Sequence, residues 1–327
     1  MDKNKIIALL RKDMMGEQQA IVQYLNHAYN MPEGTVPAEI EAIAREEMYH
    51  LDWLADMIVE LGGDPTMERD PVDFGAAPAE QQLLKDVDLE QVAIDQYRAH
   101  IAMIDDETVR RLLARILQDE LVHQEQFRDL AAEAAAEAAA EAAAEAAAGG
   151  ASGAEAEDGD EPAGKPPERL QALLNKGVRH EYSVVLQYLY HSFVAEDCEA
   201  SEELQNAAIN EMQHLGWLAE HLAEEGGEPD FTHEELVLTR DAITNLEADV
   251  AIENQVTQMY TVQIPEVDEE GLKKLLTRIR DHEIYHEAVF SDLLAEARAT
   301  TASQKDETDE PSAPTRPSIP SVGSLKD

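Results

Sequence analysis

The stretch EEMYHLDWLADMIVELGGDP (Glu46–Pro65) returns in the second half of the chain as NEMQHLGWLAEHLAEEGGEP (Asn210–Pro229). Both copies carry a Glu-x-x-His motif, in which a histidine follows a glutamate by three residues. In an α-helix, residues i and i+3 lie on nearly the same face, about 4.5 Å apart along the axis. Both side chains of such a motif can therefore reach one metal site.

The motif occurs twice more, and every copy has a glutamate 30 residues before its own glutamate. Equal intervals suit antiparallel helix pairs. The chain runs from one ligand to the end of its helix, turns, and returns along the next helix to the level of the first ligand. A dinuclear four-helix bundle needs one Glu from each of two helices and Glu-x-x-His from the other two. The sequence supplies that set twice.

We therefore predict two metal centres. The first consists of Glu17, Glu47, His50, Glu90, Glu120 and His123, and the second consists of Glu181, Glu211, His214, Glu253, Glu283 and His286. Carboxylates that face a bundle core are costly unless they are paired or metal-bound. Apolar neighbours indicate that the ligand stripes of the first half face inward. These neighbours are Ile21, Leu51, Val87, Ile94, Ile116 and Val122.

Four carboxylates and two imidazoles at one centre suit iron or manganese better than zinc or copper. The four carboxylate charges also balance the charge of two divalent cations. Such a centre can take two ferrous ions and oxidise each by one electron with dioxygen or peroxide. The ligand set thus predicts redox chemistry.

The two halves repeat at an offset of 164 residues, which becomes 163 after the central loop of each half. EQQAIVQYLNH (Glu17–His27) matches EYSVVLQYLYH (Glu181–His191), and DVDLEQVAIDQY (Asp86–Tyr97) matches DVAIENQVTQMY (Asp249–Tyr260). Aromatic residues make up only 5% of the chain and alanine is frequent, which favours helices. The predicted fold class is all-α, with two tandem four-helix bundles.

Each half is expected to contain four helices. They are predicted at 3–29, 37–61, 79–104 and 107–130, and again at 168–195, 200–225, 240–264 and 268–298. Pro37 suits the first turn of a helix. Gly62 ends the second helix, and Asp105 or Asp106 can cap the fourth.

These helices predict a first bundle at 1–130 and a second at 168–299. The linker at 131–167 begins with alanine triplets separated by glutamates, which predict a helical continuation of about 27 Å. Its Gly-, Ser- and acid-rich remainder and the tail at 300–327 have the composition of disordered chain.

Charge excludes several classes of partner. The chain has 69 Asp and Glu against 25 Lys and Arg, a net charge of −44. Such a surface repels nucleic acids and anionic membranes, and it indicates a halophilic protein adapted to a high-salt cytoplasm. The single cysteine, Cys198, excludes a disulfide framework or a multi-cysteine metal site within one chain. With no apolar run of about 18 residues and no secretory signal at the start, a cytoplasmic location is expected.

These motifs resemble the ferritin-like superfamily, and most closely bacterioferritin, over nearly all of both halves. The resemblance implies a ferroxidase that oxidises ferrous iron for iron storage and detoxification, as a homo-oligomer. It also implies that Glu17 and His50 hold one iron, that Glu90 and His123 hold the other, and that Glu47 and Glu120 bridge them. In the second half, the corresponding roles fall to Glu181 with His214, Glu253 with His286, and the bridging Glu211 and Glu283.

The resemblance also implies roles for a pair of tyrosines and a pair of methionines. The family's first helix carries Glu-x6-Tyr followed by a histidine, which here gives Tyr24 and Tyr188. Such a tyrosine can donate an electron to the diiron centre, or it can be a core residue bonded to a buried carboxylate. Bacterioferritin binds haem between subunits through a methionine after the second-helix glutamate, where Met48 and Met212 stand. Methionine is also a common core filler.

The last residues, SIPSVGSLKD (Ser318–Asp327), resemble the targeting peptides by which ferritin-like cargo enters encapsulin nanocompartments. The preceding polar segment suits a tether between a folded body and a shell. This resemblance predicts an encapsulin shell protein as partner, and a tail without function is the alternative.

Three alternatives remain open. A rubrerythrin-type peroxidase would carry a further glutamate one turn after the third-helix ligand, where Ala93 and Val256 stand. A manganese catalase would use a similar ligand set. A non-enzymatic cargo or scaffold would sequester iron without turnover. Lastly, His100 and His282 have no repeat partners and are expected at the surface.

Overall fold

A computed structural model describes residues 1–32, 34–75, 77–149 and 168–309. Within these ranges the fold consists of eight α-helices and one short 3-10 turn, without a strand. The first half contains α1 (Lys3–Tyr29), α2 (Thr35–Glu60), α3 (Ala79–Met103) and α4 (Glu107–Gly149). The second half contains α5 (Glu168–Val194), α6 (Cys198–Glu224), α7 (Ala242–Gln263) and α8 (Glu270–Asp309). The predicted all-α class is confirmed.

The helix ends follow local chemistry. Gly62 adopts a φ of 88° directly after α2, and the N–H of Gly63 donates to the carbonyl of Ile58 at 2.9 Å. A residue with a side chain rarely adopts this left-handed conformation, so glycine terminates the helix here. Of the two predicted caps of α4, Asp106 is the one that accepts, from the N–H of Thr108 at 2.9 Å.

Each half is a bundle of two antiparallel hairpins. In the first half α1 pairs with α2 and α3 with α4, and the hairpins join through contacts of α1 with α3 and of α2 with α4. The second half repeats this arrangement with α5 to α8. Leu10, Leu54, Leu113 and Phe127 are fully buried between the first four helices. The ligand residues therefore lie inside a conventional apolar core.

The two halves also pack on each other, α1 against α6 and α2 against α5. At one edge of this interface, Arg69 donates to the carbonyl oxygen of Phe231 at 2.8 Å, and its guanidinium lies over the ring of Tyr182. Arg240 binds the carboxylate of Asp64 at 2.5 Å. The duplication thus produces an internal pair of bundles.

Two segments differ from expectation. Val122 was expected to face inward with the other apolar neighbours, but its side chain is 55% exposed. It precedes His123, and adjacent helical residues point about 100° apart, so the neighbour of an inward-facing ligand can lie on the exposed side of the helix. Helix α8 continues to Asp309, past residue 300 where the composition predicts disorder. Residues 300–309 contain neither glycine nor proline, so no strong helix breaker ends the helix there.

Helix α4 runs through the alanine–glutamate repeat as far as Gly149. The flexible part of the predicted linker from residue 150 and the peptide Ser318–Asp327 lie outside the described residues. The bundle boundaries at 130 and 168 therefore stay predictions. In the described ranges, none of the helices combines the length and the hydropathy that a bilayer crossing requires.

Candidate metal centres

The twelve predicted ligands converge on two buried points, one in each bundle. In the first, α1 and α3 each contribute one glutamate, and α2 and α4 each contribute a Glu-x-x-His; α5 to α8 contribute the same set to the second. Every one of these twelve side chains is at most 4% exposed. We call the first half's cluster centre one and the second half's cluster centre two.

Centre one divides into two overlapping groups of ligand atoms. Glu17 and His50 group with Glu47 and Glu120, and the same two glutamates group with Glu90 and His123. Within each group the candidate ligand atoms all lie within 4.8 Å of one another. Two metal sites that share a pair of carboxylates are the arrangement of a bridged dinuclear centre.

Centre two repeats this division with the next set of residues. Its first group is Glu181, Glu211, His214 and Glu283, and its second group is Glu211, Glu253, Glu283 and His286. Glu211 and Glu283 belong to both groups, as Glu47 and Glu120 do in centre one. The geometry thus gives both halves the partition that the sequence resemblance implies.

The histidines contact the shared carboxylates directly. In centre one, Nδ1 of His50 lies 2.7 Å from Glu47 and 3.1 Å from Glu120. In centre two, Nδ1 of His214 lies 2.6 Å from Glu211. Each imidazole therefore directs Nδ1, and not Nε2, toward its centre.

Burial and neighbouring charges shift the glutamate pKa values in centre one. Burial raises the pKa of Glu17 and of Glu90 well above the ordinary carboxyl value, and the charge of Glu120 raises both further. Burial acts in the same direction on Glu47, but the imidazolium groups of His123 and His50 outweigh it and lower its pKa. The metal-free protein thus balances part of its buried charge with protons.

The neighbouring carboxylates raise the pKa values of the ligand histidines. Burial by itself lowers the pKa of each imidazole, but the neighbouring carboxylates outweigh that effect. The pKa of His123 rises to about 11, that of His214 to about 12 and that of His286 to about 9. Before metal binding, these protons occupy the positions that cations would take.

Several ligand atoms fit a bound cation better than they fit one another. Among the described residues, both carboxylate oxygens of Glu47 and the Nδ1 atoms of His50, His123 and His286 are buried without a well-oriented hydrogen bond. Buried polar atoms are rarely left in this state. Oxygen and imidazole donors in this number suit iron or manganese, so the residues fit a dinuclear metal site.

Tyrosines hold in place the four glutamates that belong to only one ligand group each, which we call the terminal glutamates. These are Glu17, Glu90, Glu181 and Glu253. Tyr24 donates from its hydroxyl to Glu90 at 2.5 Å, and Tyr188 donates to Glu253. Burial and the adjacent carboxylate raise the pKa of Tyr24 well above its ordinary value, so the phenol keeps its proton. Both predicted tyrosines therefore contact a ligand.

Sequence reasoning missed a second tyrosine pair. Tyr97 donates to Glu17, and Tyr260 donates to Glu181. The signal was present in the sequence, because Glu-x6-Tyr occurs in α3 and α7 as well as in α1 and α5. Each centre thus has one phenol on each of its two terminal glutamates.

A buried histidine–aspartate pair links the helices beside each centre. Nδ1 of His27 lies 2.8 Å from Asp86, which also accepts from Gln23 at 2.9 Å. In the second half, His191 and Asp249 form the same pair at 2.9 Å. These contacts join α1 to α3 and α5 to α7, the helices that carry the terminal glutamates.

The expectation that His100 and His282 lie at the surface was wrong. His100 is only 6% exposed, and its Nδ1 lies 2.8 Å from Asp13. His282 is half-buried, and its Nδ1 lies 2.9 Å from Nε2 of the ligand His214. Isolated histidines on amphipathic helices have no periodic signal that distinguishes these environments.

The remaining predicted residues lie near the centres without joining them. The ring of Trp53 lies 5.7 Å from that of His50, and Trp217 lies at the same distance from His214. Both indoles also pack against the apolar core. Met48 and Met212 are half-buried, and haem binding by them stays a prediction.

Comparison with known proteins identifies the family. The model of the ferritin-like domain matches residues 7–135 and again residues 171–300. The chain belongs to the ferritin-like family. The two matches confirm the tandem duplication of a ferritin-like diiron domain predicted from the repeats.

Individual relatives of this ferritin-like chain are similar to it over part of its length. A bacterioferritin of Desulfovibrio desulfuricans is 30% identical over 138 residues, which is 40% of this chain and 76% of that protein. Its solved structure, whose diiron site was studied in different catalytic states, matches with a TM-score of 0.39 and 31% identity over 40% of this chain and 80% of that one. A dodecameric thioferritin of Bacteroides fragilis matches with a TM-score of 0.36 and 25% identity, over 43% and 92% of the two chains.

Proposed function

We propose that the protein is a ferroxidase that oxidises ferrous to ferric iron at two dinuclear centres per chain. The observation that carries this proposal is the pair of overlapping ligand groups in each half, which share two carboxylates. Four carboxylates balance two ferrous ions, so the centre gains net positive charge when those ions are oxidised. The function we infer is iron storage and detoxification.

The residues of centre one have distinct roles in this proposal. Glu17 with His50 binds one iron, Glu90 with His123 binds the other, and Glu47 joins the two sites together with Glu120. Two ferrous ions supply two electrons, which reduce dioxygen to hydrogen peroxide or hydrogen peroxide to water. The burial of all these side chains keeps bulk water away from the reacting metals.

Access to centre one is offered by a small cavity. Its volume is about 30 Å³, and its lining includes the ligands Glu17 and Glu90 together with Tyr24 and Gly16. This space suits one water molecule or a small oxidant. The residue of the second half that is equivalent to Gly16 is His180, whose side chain is larger and buried.

Loss of the bridging glutamates tests the proposal. Anaerobic protein carrying Glu47→Ala and Glu211→Ala is loaded with ferrous iron and mixed with dioxygen or peroxide, and ferric formation is followed by absorbance. We expect oxidation to fall to the rate of free iron, while the unaltered protein saturates at four irons per chain.

Glu60→Ala with Glu224→Ala is the matched control, because these exposed glutamates occupy equivalent positions at the ends of α2 and α6. Equal oxidation by the two double variants would refute the proposal. Iron binding without oxidation would instead favour a sequestering cargo protein. Rapid disproportionation of peroxide by manganese-loaded protein would favour a catalase, and peroxide reduction without mineral formation would favour a peroxidase.

The broader setting is also a proposal. A homo-oligomer is expected by analogy with ferritin-like relatives, of which one is described as dodecameric. A cytoplasmic location, a halophilic source and loading into an encapsulin shell through Ser318–Asp327 rest on sequence patterns alone. Haem binding by Met48 and Met212 likewise rests on the sequence resemblance alone. A Soret absorbance band would test it.

A further inference from the structure

The ligand histidines of the two centres have different outer partners. All four direct Nδ1 toward the carboxylates of their centre, which leaves Nε2 pointing outward. An imidazole that binds a metal through one nitrogen carries its proton on the other and donates it to an outer acceptor. The acceptor then sets how basic the ligand is.

In centre one, both outer partners are carboxylates. Nε2 of His123 lies 2.8 Å from the carboxylate of Glu46, and Nε2 of His50 lies 3.5 Å from that of Asp119. Asp119 is in turn held by Nε of Arg115 at 3.1 Å. A carboxylate that accepts from a metal-bound imidazole orients the ring and makes it a stronger donor to the metal.

In centre two, neither of the same two positions holds a carboxylate. Asn210 replaces Glu46 and lies 3.5 Å from Nε2 of His286, and His282 replaces Asp119. Nδ1 of His282 lies 2.9 Å from Nε2 of His214. To accept the proton of a metal-bound His214, His282 must be a neutral imidazole.

The neighbouring arginines do not cancel this difference. Arg278 is the repeat partner of Arg115, but it lies over the ring of Trp217 at 4.3 Å. Each centre therefore has one arginine nearby, and only centre one has the two additional carboxylates. At the two positions that contact the outer nitrogens, centre one therefore has two carboxylates and centre two has none.

We propose that the two centres are unequal, with centre one binding its metal pair more tightly than centre two because Glu46 and Asp119 support its histidines. Centre one then also stabilises ferric iron more strongly, since the extra negative charge favours the more highly charged ion. Centre two fills later and releases iron more readily. This inference depends on the metal centres of the proposed function, but not on their oxidase activity.

The chain contains only two tryptophans, one beside each centre, and they allow the two affinities to be measured separately. Trp217→Phe leaves Trp53 as the reporter of centre one, and Trp53→Phe leaves Trp217 as the reporter of centre two. Each full-length variant is titrated with Co²⁺, whose unpaired electrons quench a nearby indole. We expect centre one to be half-saturated at a cobalt concentration lower by about 10- to 100-fold, the usual effect of outer partners.

Exchanging the outer partners of the ligand histidines between the two centres should also exchange their relative metal affinities. Asp119→His with Glu46→Asn, made in the Trp217→Phe protein, is expected to weaken centre one by about 10- to 100-fold. His282→Asp with Asn210→Glu, made in the Trp53→Phe protein, is expected to strengthen centre two by a similar factor. Circular dichroism and thermal unfolding verify that each variant is folded.

The control for net charge is Asp129→Ala with Glu133→Ala, which removes two exposed carboxylates from α4 and should leave both affinities unchanged. Equal affinities in the parent variants, or no change on exchange of folded variants, would overturn the inference. Absence of quenching at both tryptophans would overturn the metal centres as well. Unequal binding without ferrous oxidation would support the inference and refute only the ferroxidase.

Discussion

At the residue scale, each centre contains two phenols in similar positions. Tyr24 and Tyr97 are both fully buried, and each donates to a terminal glutamate from the opposite hairpin. The family resemblance singles out only Tyr24 as an electron donor. Because the two contacts are alike, Tyr97 serves as an internal control for a purely structural role.

Replacing each tyrosine pair separates electron donation from positioning. Tyr24→Phe with Tyr188→Phe and Tyr97→Phe with Tyr260→Phe should each lower the free energy of unfolding by about 1–3 kcal/mol per site, since each leaves a buried carboxylate with one partner fewer. Only the first variant should lose a tyrosyl radical signal in electron paramagnetic resonance after rapid mixing with oxidant. A radical that survives in the Tyr24→Phe variant would rule out this donor.

Protonation of the ligand histidines predicts how metal binding depends on pH. The pKa of His286 is raised from its ordinary value of 6.5 to about 9, so the folded metal-free protein retains this proton at neutral pH. A metal must displace it, and apparent affinity should fall as the pH decreases from about 9. The raised pKa also means that the stability contributed by this charge is lost as the pH rises through 9 in the metal-free protein.

Calorimetric titration with Co²⁺ in buffers of different ionisation enthalpy measures the released protons. We expect several protons per dinuclear centre near neutral pH, because His123 and His214 have pKa values of about 11 and 12. The His286→Gln variant should release fewer protons when it binds the metal. Metal binding with no proton release would contradict the shifted values.

At the scale of helices, the buried contact between His27 and Asp86 joins the two hairpins of the first bundle. Both side chains are fully buried. Removal of one partner leaves the other as an uncompensated buried group, which costs more than the pair contributes as a whole. The pair therefore keeps α1 and α3 in register, and with them Glu17 and Glu90.

Asp86→Ala should lower the free energy of unfolding of the metal-free protein by about 1–3 kcal/mol, measured by chemical denaturation, because it leaves buried hydrogen-bonding groups of His27 and Gln23 unsatisfied. Asp88→Ala is the control, because it removes an exposed carboxylate from the same helix and should change stability by about 0.5 kcal/mol or less. Similar losses in the two variants would show that the buried pair has no special structural role.

At the scale of the whole molecule, the net charge of −44 governs stability. Its carboxylates lie mainly on helix surfaces, where they repel one another over the Debye length. That length falls to about 3 Å at 1 M salt. The charge therefore limits stability most strongly when the ionic strength is low.

We expect the midpoint of thermal unfolding to rise steadily as potassium chloride is increased toward molar concentrations. Sucrose at matched osmolality is the control, because it favours the compact state without screening charge. A midpoint that responds equally to salt and sucrose, or that is already maximal at low salt, would remove the basis for a halophilic assignment.

The sequence by itself determined the features that depend on spacing along one helix or on repetition. Glu47 and His50 share a face because three residues nearly complete a helical turn, and the 30-residue intervals bring four such elements to one level. The eight helices, the tandem bundles and the two ligand sets could all be predicted from those periods. Helix ends were predicted less well, since α8 continues through polar residues beyond the expected boundary.

Only the tertiary structure decided what approaches these ligands from other helices. Asp119 meets His50 and Glu46 meets His123 through contacts between α2 and α4, and His282 reaches His214 in the same way. No period in the sequence encodes such contacts, because they depend on which helix faces meet and at what height. The packing of one bundle on the other was undetermined for the same reason. Local chemistry thus specifies the ligands, and packing specifies the surroundings that make two repeated centres different.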